Sequence, residues 1–115
     1  MTQSPAIFET IKEHLRDHNV VLYMKGTAHM PLCGFSATVV QILKKFEVSF
    51  QDFNVLQDEE LRQGIKEFSD WPTIPQLYIK GEFIGGCDIV RDMFKTGEFK
   101  ELLKEKGIPF NDPIS

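Results

Sequence analysis

The fold is decided by residues 20–46, which read VVLYMKGTAHMPLCGFSATVVQILKKF. Its first five residues form a continuous apolar run rich in β-branched side chains, which is typical of a strand buried on both faces. Gly26 and Pro31 interrupt the regular pattern and predict a loop. Between Phe35 and Phe46 the apolar side chains recur at helical spacing and predict a helix. A buried strand therefore leads through a loop into a helix.

The segments on either side of this stretch add two helices and a strand. Ser4-Pro5 predicts a helix start, because serine caps helices and proline suits their first turn. A second strand is predicted over Val48–Val55, with Phe50 and Phe53 among the side chains directed inward. Asp58 can cap a third helix, and two glutamates follow it where the helix dipole favours negative charge.

The second half of the chain predicts two more strands and two more helices. Gln76–Ile84, with Lys80-Gly81 at its centre, is typical of a β-hairpin with a tight turn. Asp88 is predicted to cap a fourth helix. Gly97 separates that helix from a last one, because glycine is the usual residue at a helix end.

The predicted order of elements is α, β, α, β, α, β, β, α, with a final helix. Strands joined through a helix are parallel with a right-handed crossover, whereas the strands of a hairpin are antiparallel. The predicted fold class is therefore α/β: a mixed four-stranded sheet flanked by helices, which is the thioredoxin-like arrangement. At 115 residues, the chain is expected to be one domain, residues 1–110, followed by a flexible C-terminal tail, residues 111–115.

Composition narrows the possible functions. With 13 basic and 17 acidic residues the net charge is −4, which argues against nucleic acid as a partner. We expect no membrane partner, because no apolar run is long enough to span a bilayer. No signal-peptide segment is recognisable, so we expect a reducing compartment with both thiols free. Two cysteines and three scattered histidines do not suit a self-contained zinc site, so a metal site using these thiols must borrow ligands.

The clearest chemical motif is Cys33-Gly34-Phe35-Ser36, which lies where the loop meets the second helix. The dipole and the free N–H groups of a helix N-terminus favour a thiolate, which is both the nucleophile and the metal ligand, and Lys25 can add positive charge. Free cysteines are often simply buried, but the glycine-flanked position of Cys33 favours a functional thiol. Because Ser36 cannot close a disulfide, Cys33 is left with two reactions: a mixed disulfide with an outside thiol, or coordination of a soft metal.

Three further features can hold a ligand. Ile74-Pro75 is either a cis bond that exposes the Ile74 backbone to an extended peptide, or an ordinary trans strand entry. In Gly85-Gly86-Cys87-Asp88, the glycines allow close backbone approach and the helix start offers N–H donors to a carboxylate, whereas Cys87 is expected to be packed. Arg62 and Lys66 are typical of a solvated helix face, although either could bind a carboxylate near Cys33.

Together these motifs resemble the CGFS-type monothiol glutaredoxins. The resemblance rests on Lys25-Gly26, Pro31-x-Cys33-Gly34-Phe35-Ser36, Trp71-Pro72-Thr73-Ile74-Pro75-Gln76 and Gly85-Gly86-Cys87-Asp88. These four motifs occur in the order that the family has, and the resemblance extends from Ile7 to Lys106. Four separated motifs are much more specific than Cys-Gly-Phe-Ser alone.

The resemblance implies that Cys33 is the redox-active residue and a ligand of a [2Fe–2S] cluster. The cluster would bridge the two subunits of a homodimer, each chain giving one thiolate and two glutathione molecules giving the others. This agrees with the shortage of ligands in one chain, because such clusters are held by four thiolates. The resemblance further implies the residues that bind glutathione: Lys25 and Arg62 at its glycine carboxylate, the Ile74 backbone along its cysteine, and Cys87 and Asp88 at its γ-glutamyl end.

On this resemblance the protein is a carrier or scaffold in iron–sulfur cluster assembly and transfer. The implied partners are glutathione, apo iron–sulfur proteins and BolA-type proteins, and a cytoplasmic location is expected, with the mitochondrial matrix as the alternative. Two other functions stay open. One is a glutathione-dependent thiol–disulfide oxidoreductase, for which the long loop between Lys25 and Cys33 implies weak activity at most. The other is a redox-sensing adaptor that uses Cys33 and Cys87 as a switch.

Overall fold

The computed structural model describes residues 5–113, which form five α-helices and four strands. In chain order these are α1 Ala6–Asp17, β1 Val20–Met24, α2 Gly34–Lys45, β2 Gln51–Asn54, α3 Glu59–Ser69, β3 Gln76–Ile79, β4 Glu82–Gly85, α4 Cys87–Thr96 and α5 Glu98–Glu105. A single 3₁₀ turn, Val55–Gln57, lies between β2 and α3. The predicted order of elements is confirmed.

The four strands form one mixed sheet in the order β2-β1-β3-β4. β1 is parallel to β2, so that Leu22 lies opposite Asp52. β3 is antiparallel to both of its neighbours and places Leu77 opposite Leu22. This is the predicted thioredoxin-like sheet, with β1 and β3 as its two buried inner strands.

Helices cover both faces of the sheet, as predicted. Because alternate residues of a strand point to opposite faces, Leu22 packs into one core with α2, α4 and α5, and Tyr23 into another with α1 and α3. The first core contains Leu43 and Leu103, and the second contains Ile65, all of them fully buried. Burying an aliphatic side chain of this size contributes about 1.5–3 kcal/mol, so both helix layers are held mainly by apolar contact.

The second strand is shorter than the sequence indicates. The prediction for Val48–Val55 is wrong at both ends, because β2 contains only Gln51–Asn54. Val48 is buried as expected, but its N–H donates to the Leu43 carbonyl at 3.1 Å and so completes the end of α2. At the other end, Val55 begins the 3₁₀ turn. The apolar pattern thus includes Val48 and Val55, whose backbone groups bond to the end of α2 and within the 3₁₀ turn instead of to a neighbouring strand.

The predicted helix ends are partly confirmed. Asp58 caps α3, since its carboxylate accepts the Leu61 N–H at 3.0 Å. Gly97 ends α4 with a φ of 87°, in the left-handed region that suits glycine. The predicted cap Ser4 lies outside the described residues, but the N-cap of α1 is Pro5, so the prediction of proline in the first turn is wrong. The boundary predicted at residue 110 stays a prediction, although the Asn111 N–H donates to the Phe46 carbonyl at 2.8 Å.

Candidate functional site

Cys33 is the N-cap of α2, at the carboxyl-terminal end of the loop that follows β1. Its side chain is partly exposed and its thiol is free. The pKa of this thiol is lowered, chiefly because the Ser36 backbone N–H hydrogen-bonds to the sulfur, with smaller contributions from the Phe35 N–H and the Lys25 ammonium, while burial opposes the shift. These are the donors that a helix N-terminus offers an anion. The predicted thiolate environment is therefore present in the structure.

Ser36 links the two segments that surround the thiol. It is fully buried, and its Oγ accepts the backbone N–H of Lys25 at 3.1 Å. The same hydroxyl helps to lower the pKa of Cys33 by hydrogen bonding to the sulfur. A hydroxyl can accept one hydrogen bond while it donates another, so Ser36 serves the Lys25 backbone and the Cys33 thiolate together.

Two polar side chains of β2 hold the loop between β1 and α2. The Gly26 N–H donates to Asn54 Oδ1 at 3.0 Å, and the Ala28 N–H donates to Asp52 Oδ2 at 2.8 Å. Sequence reasoning missed both side chains. The signal that could have found them is their spacing, because residues two apart on a strand share one face.

Glycine is required inside this loop. Gly26 has a φ of 88°, and a Cβ there would lie 2.6 Å from the Leu32 nitrogen and from the Met30 oxygen. The loop closes on itself through the Leu32 N–H, which donates to the Lys25 carbonyl at 2.9 Å. The loop is thus a bonded turn of defined shape that delivers Cys33 to the helix start.

A groove of about 410 Å³ lies beside the helix start. Its walls come from the start of α2, the segment before β3 and the start of α4. The lining residues are Lys25, Phe35, Lys66, Trp71, Pro72, Thr73, Ile74, Pro75, Gly86, Cys87, Asp88 and Ile89. Cationic groups from Lys25 and Lys66 and a carboxylate from Asp88 therefore share a groove that is otherwise mostly apolar.

The Ile74–Pro75 bond is cis, so the first of the two alternatives raised by the sequence is observed. Ile74 lines the groove, while its side chain is only 6% exposed. Gly86 approaches this segment closely, since a Cβ on it would lie 3.2 Å from the Pro75 carbonyl oxygen. A side chain at residue 86 would therefore require the start of α4 or the cis-proline segment to shift by a few tenths of an ångström.

The start of α4 differs from the prediction in one respect. Asp88 is not the N-cap, because Gly86 holds that position and Asp88 lies inside the first turn. Its carboxylate instead pairs with Arg91 at 3.0 Å. Cys87, the first residue of α4, is buried as expected, and burial raises the pKa of its thiol. β4 extends one residue further than expected, to Gly85, and α4 begins earlier than expected, so that Gly86 alone separates the strand from the helix.

Four of the predicted glutathione residues therefore line one groove: Lys25, Ile74, Cys87 and Asp88. The fifth, Arg62, is not among the described residues that line it, and its guanidinium contacts Glu59 at 3.6 Å. Arg62 Nε is nevertheless buried without a hydrogen-bond partner among the described residues. Lys66, one turn further along α3, lines the groove and is a second candidate cation. The roles of all five stay predictions.

Comparison with known proteins agrees with this geometry. Residues 20–84 match the family model described as Glutaredoxin. The chain is 57% identical over 98 residues to the chloroplastic monothiol glutaredoxin-S14 of Arabidopsis thaliana, covering 85% of this chain and only 57% of that one. It is 55% identical over 96 residues to the probable monothiol glutaredoxin 2 of Rickettsia typhi, covering 84% of this chain and 86% of the relative.

A solved structure agrees in both fold and sequence. The solution structure of reduced poplar apo GrxS14 has a TM-score of 0.80 and 52% identity, covering 92% of this chain and 97% of that one. The chain therefore belongs to the glutaredoxin family, among its monothiol members. No helix within residues 5–113 is long and apolar enough to cross a membrane. The relatives named above come from a chloroplast and from a bacterium, so the compartment of this chain stays a prediction.

Proposed function

We propose that this protein binds glutathione and carries a [2Fe–2S] cluster between two subunits, as a carrier or scaffold in iron–sulfur cluster assembly and transfer. The observation that supports this most strongly is the environment of Cys33. Its thiol is partly exposed, and helix N–H groups lower its pKa. Residue 36 is a serine, which cannot form a disulfide with Cys33. A thiolate of this kind is available as a ligand to an incoming metal centre.

The donor set of one chain fits a shared cluster better than a private one. Within residues 5–113, no cluster of three or more His, Cys, Asp or Glu side chains is placed to hold a metal ion. Cys87 is buried in the core, which leaves Cys33 as the thiolate that each chain offers. Four thiolates per cluster then require two chains and two outside thiols. The cluster is cargo, and the chain's own contribution is one thiolate and a site for glutathione.

The groove has the charge pattern that glutathione needs. The tripeptide carries two carboxylates and one ammonium. Lys25, with Lys66 or Arg62, supplies positive charge for the glycine carboxylate, and the N–H groups at the start of α4 suit the γ-glutamyl carboxylate. The carboxylate of Asp88 suits the ammonium, which would take the place of Arg91 beside it. The Ile74 backbone would pair with the glutathione cysteine as an added strand.

Apolar side chains beside the thiol support a protein partner at the same site. Met30, Leu32 and Phe35 are 68%, 62% and 60% exposed, and all three are within three residues of Cys33 in the sequence. A second subunit would cover them in the cluster-bound homodimer. Apo iron–sulfur proteins and BolA-type proteins would use the same surface when the cluster is handed on, and we propose that this takes place in the cytoplasm.

Anaerobic reconstitution with iron, sulfide and glutathione tests the proposal. We expect the visible absorption of a [2Fe–2S] centre only when glutathione is present. Cys33→Ser should abolish it, because a hydroxyl stays protonated and binds iron poorly. The matched variant Cys87→Ser should retain it, because it keeps the backbone N–H that is assigned to glutathione. A cluster that forms equally well without glutathione would contradict the proposal.

Glutathione-dependent thiol–disulfide exchange is the second candidate, because the lowered pKa of Cys33 also suits a nucleophile. We expect turnover of a mixed-disulfide substrate to be near background. Robust turnover by wild type that is lost in Cys33→Ser would favour the oxidoreductase instead.

A further inference from the structure

Gln76, the first residue of β3, is a fully enclosed polar side chain next to the segment that lines the groove. It is fully buried, and residues 5–113 contain only one other buried polar or charged side chain, Ser36. A buried amide without partners would be costly. The hydrogen-bond partners of Gln76 therefore indicate its structural role.

Gln76 makes three described hydrogen bonds, and two of them go to residues that line the groove, Trp71 and Thr73. Its Nε2 donates to the Trp71 carbonyl at 3.1 Å and to the Thr73 carbonyl at 3.2 Å, while its Oε1 accepts the Tyr78 hydroxyl at 3.2 Å. Only the amide nitrogen can donate to two carbonyl oxygens, so these partners fix the orientation of the amide. One side chain thus joins two points of the segment that precedes β3.

That segment, Trp71–Pro75, forms one wall of the groove. Pro72 and Pro75 have no backbone N–H, so the segment has fewer donors of its own with which to hold its shape. The two hydrogen bonds from Gln76 hold the segment from outside, at the carbonyls of Trp71 and Thr73 on either side of Pro72.

We propose that Gln76 is a positioning residue, which holds the Trp71–Pro75 wall in the shape that presents the Ile74 backbone to a peptide ligand. The inference rests on the proposed glutathione groove. Gln76 itself does not line the groove, so its effect on a ligand passes through the two carbonyls that it holds.

The first test uses the protein without ligand. In wild type, both Nε2 protons of Gln76 should exchange slowly with solvent, because both are donated to carbonyls inside the protein. In Gln76→Met, which nearly conserves side-chain volume but has no donor, the backbone amide signals of Thr73 and Ile74 should broaden through exchange between conformations. Rapid exchange of the wild-type Nε2 protons would overturn the proposal even if no variant folded.

The second test measures reduced glutathione binding by titration calorimetry. Gln76→Met should weaken binding about tenfold, the cost of one to two neutral hydrogen bonds. Tyr23→Phe is the control: it keeps the ring but removes a buried hydroxyl that bonds His14 Nδ1 at 3.1 Å, and neither Tyr23 nor His14 lines the groove. It should lower stability and leave glutathione affinity unchanged.

The outcomes separate the two proposals. If wild type does not bind glutathione, the proposed function fails, while the amide signals still decide the role of Gln76. If Gln76→Met keeps sharp Thr73 and Ile74 signals and loses no more affinity than Tyr23→Phe, Gln76 is only a core residue. Gln76→Glu adds a pH readout, because its ionised carboxylate would repel both carbonyls. Its glutathione affinity should therefore recover partly at lower pH, as the carboxyl becomes a donor.

Discussion

The backbone N–H of Lys25 donates a 3.1 Å hydrogen bond to Oγ of Ser36, which is fully buried. This bond joins the end of β1 to the first turn of α2, directly beside the Cys33 thiol. Serine at this position therefore does more than replace a second cysteine. It joins the end of β1 to the helix N-terminus, and its hydroxyl makes a small contribution to the lowered pKa of Cys33.

Ser36→Ala should raise the pKa of Cys33, because the hydroxyl that bonds the sulfur is lost and the Lys25 N–H loses its acceptor. The ultraviolet absorbance of the thiolate, followed against pH, measures this. Thr38→Val is the control, since it removes a hydroxyl of the same helix that bonds the Gly34 carbonyl at 3.0 Å. Ser36→Ala should still bind a cluster, because the Cys33 sulfur that would ligate iron remains. An unchanged Cys33 titration in Ser36→Ala would show that the serine is structural only.

Gly26→Ala should destabilise the protein by about 1–3 kcal/mol, the usual cost of a strained backbone conformation. The added Cβ would lie 2.6 Å from backbone atoms of the same loop, and φ there is 88°. Gly34→Ala is the matched control, because nothing lies within 4 Å of its Cβ position. It should stay within about 1 kcal/mol of wild type. Equal stability of the two variants in denaturant unfolding would contradict the described loop.

The two thiols should react at different pH values. Helix N–H groups lower the pKa of the Cys33 thiol, and burial raises the pKa of the Cys87 thiol. At a pH between the two pKa values, a larger fraction of Cys33 than of Cys87 is therefore present as thiolate. Alkylation followed by mass spectrometry at a series of pH values should show a lower midpoint for Cys33. Coincident midpoints would mean that the two environments do not differ as described.

The sequence predicted the fold well where the apolar pattern and the backbone bonding agree. The run Val20–Met24 is buried throughout and forms one of the two inner strands. At Val48 the two disagree, because a residue can be apolar and buried while its N–H closes a helix end. Apolar spacing carries no information about that bond, so the limits of β2 could not be read from it.

The sequence predicted the environment of the Cys33 thiol, because its place at a helix start follows from the motif, but it left the Ile74–Pro75 bond open between cis and trans. Asp52, Asn54 and Gln76 were missed, since each acts on the backbone of a segment distant in sequence. The sequence favours Asp88 as the cap because aspartate is a common N-cap, yet the cap is Gly86 and the helix starts two residues earlier than a cap at Asp88 would place it. Such relationships depend on tertiary contact, which a single sequence does not state.

Arg62→Ala should weaken glutathione binding about tenfold, because a charge-assisted hydrogen bond contributes about 1.5–3 kcal/mol when well formed. Excess glutathione should partly restore cluster lifetime by mass action. Lys66→Ala tests the alternative cation in the groove. Lys104→Ala is the control, because Lys104 does not line the groove and pairs with Glu101 on α5. If Arg62→Ala binds like wild type while Lys66→Ala does not, Lys66 is the residue that holds the carboxylate.

Native mass spectrometry of the anaerobically reconstituted protein tests the central proposal most directly, because it counts every component of the complex. The account predicts one particle containing two chains, two glutathione molecules and one [2Fe–2S] cluster, which returns to single chains when the cluster is removed. Cys33→Ser should give single chains only. A single chain that holds a cluster without glutathione would contradict the account.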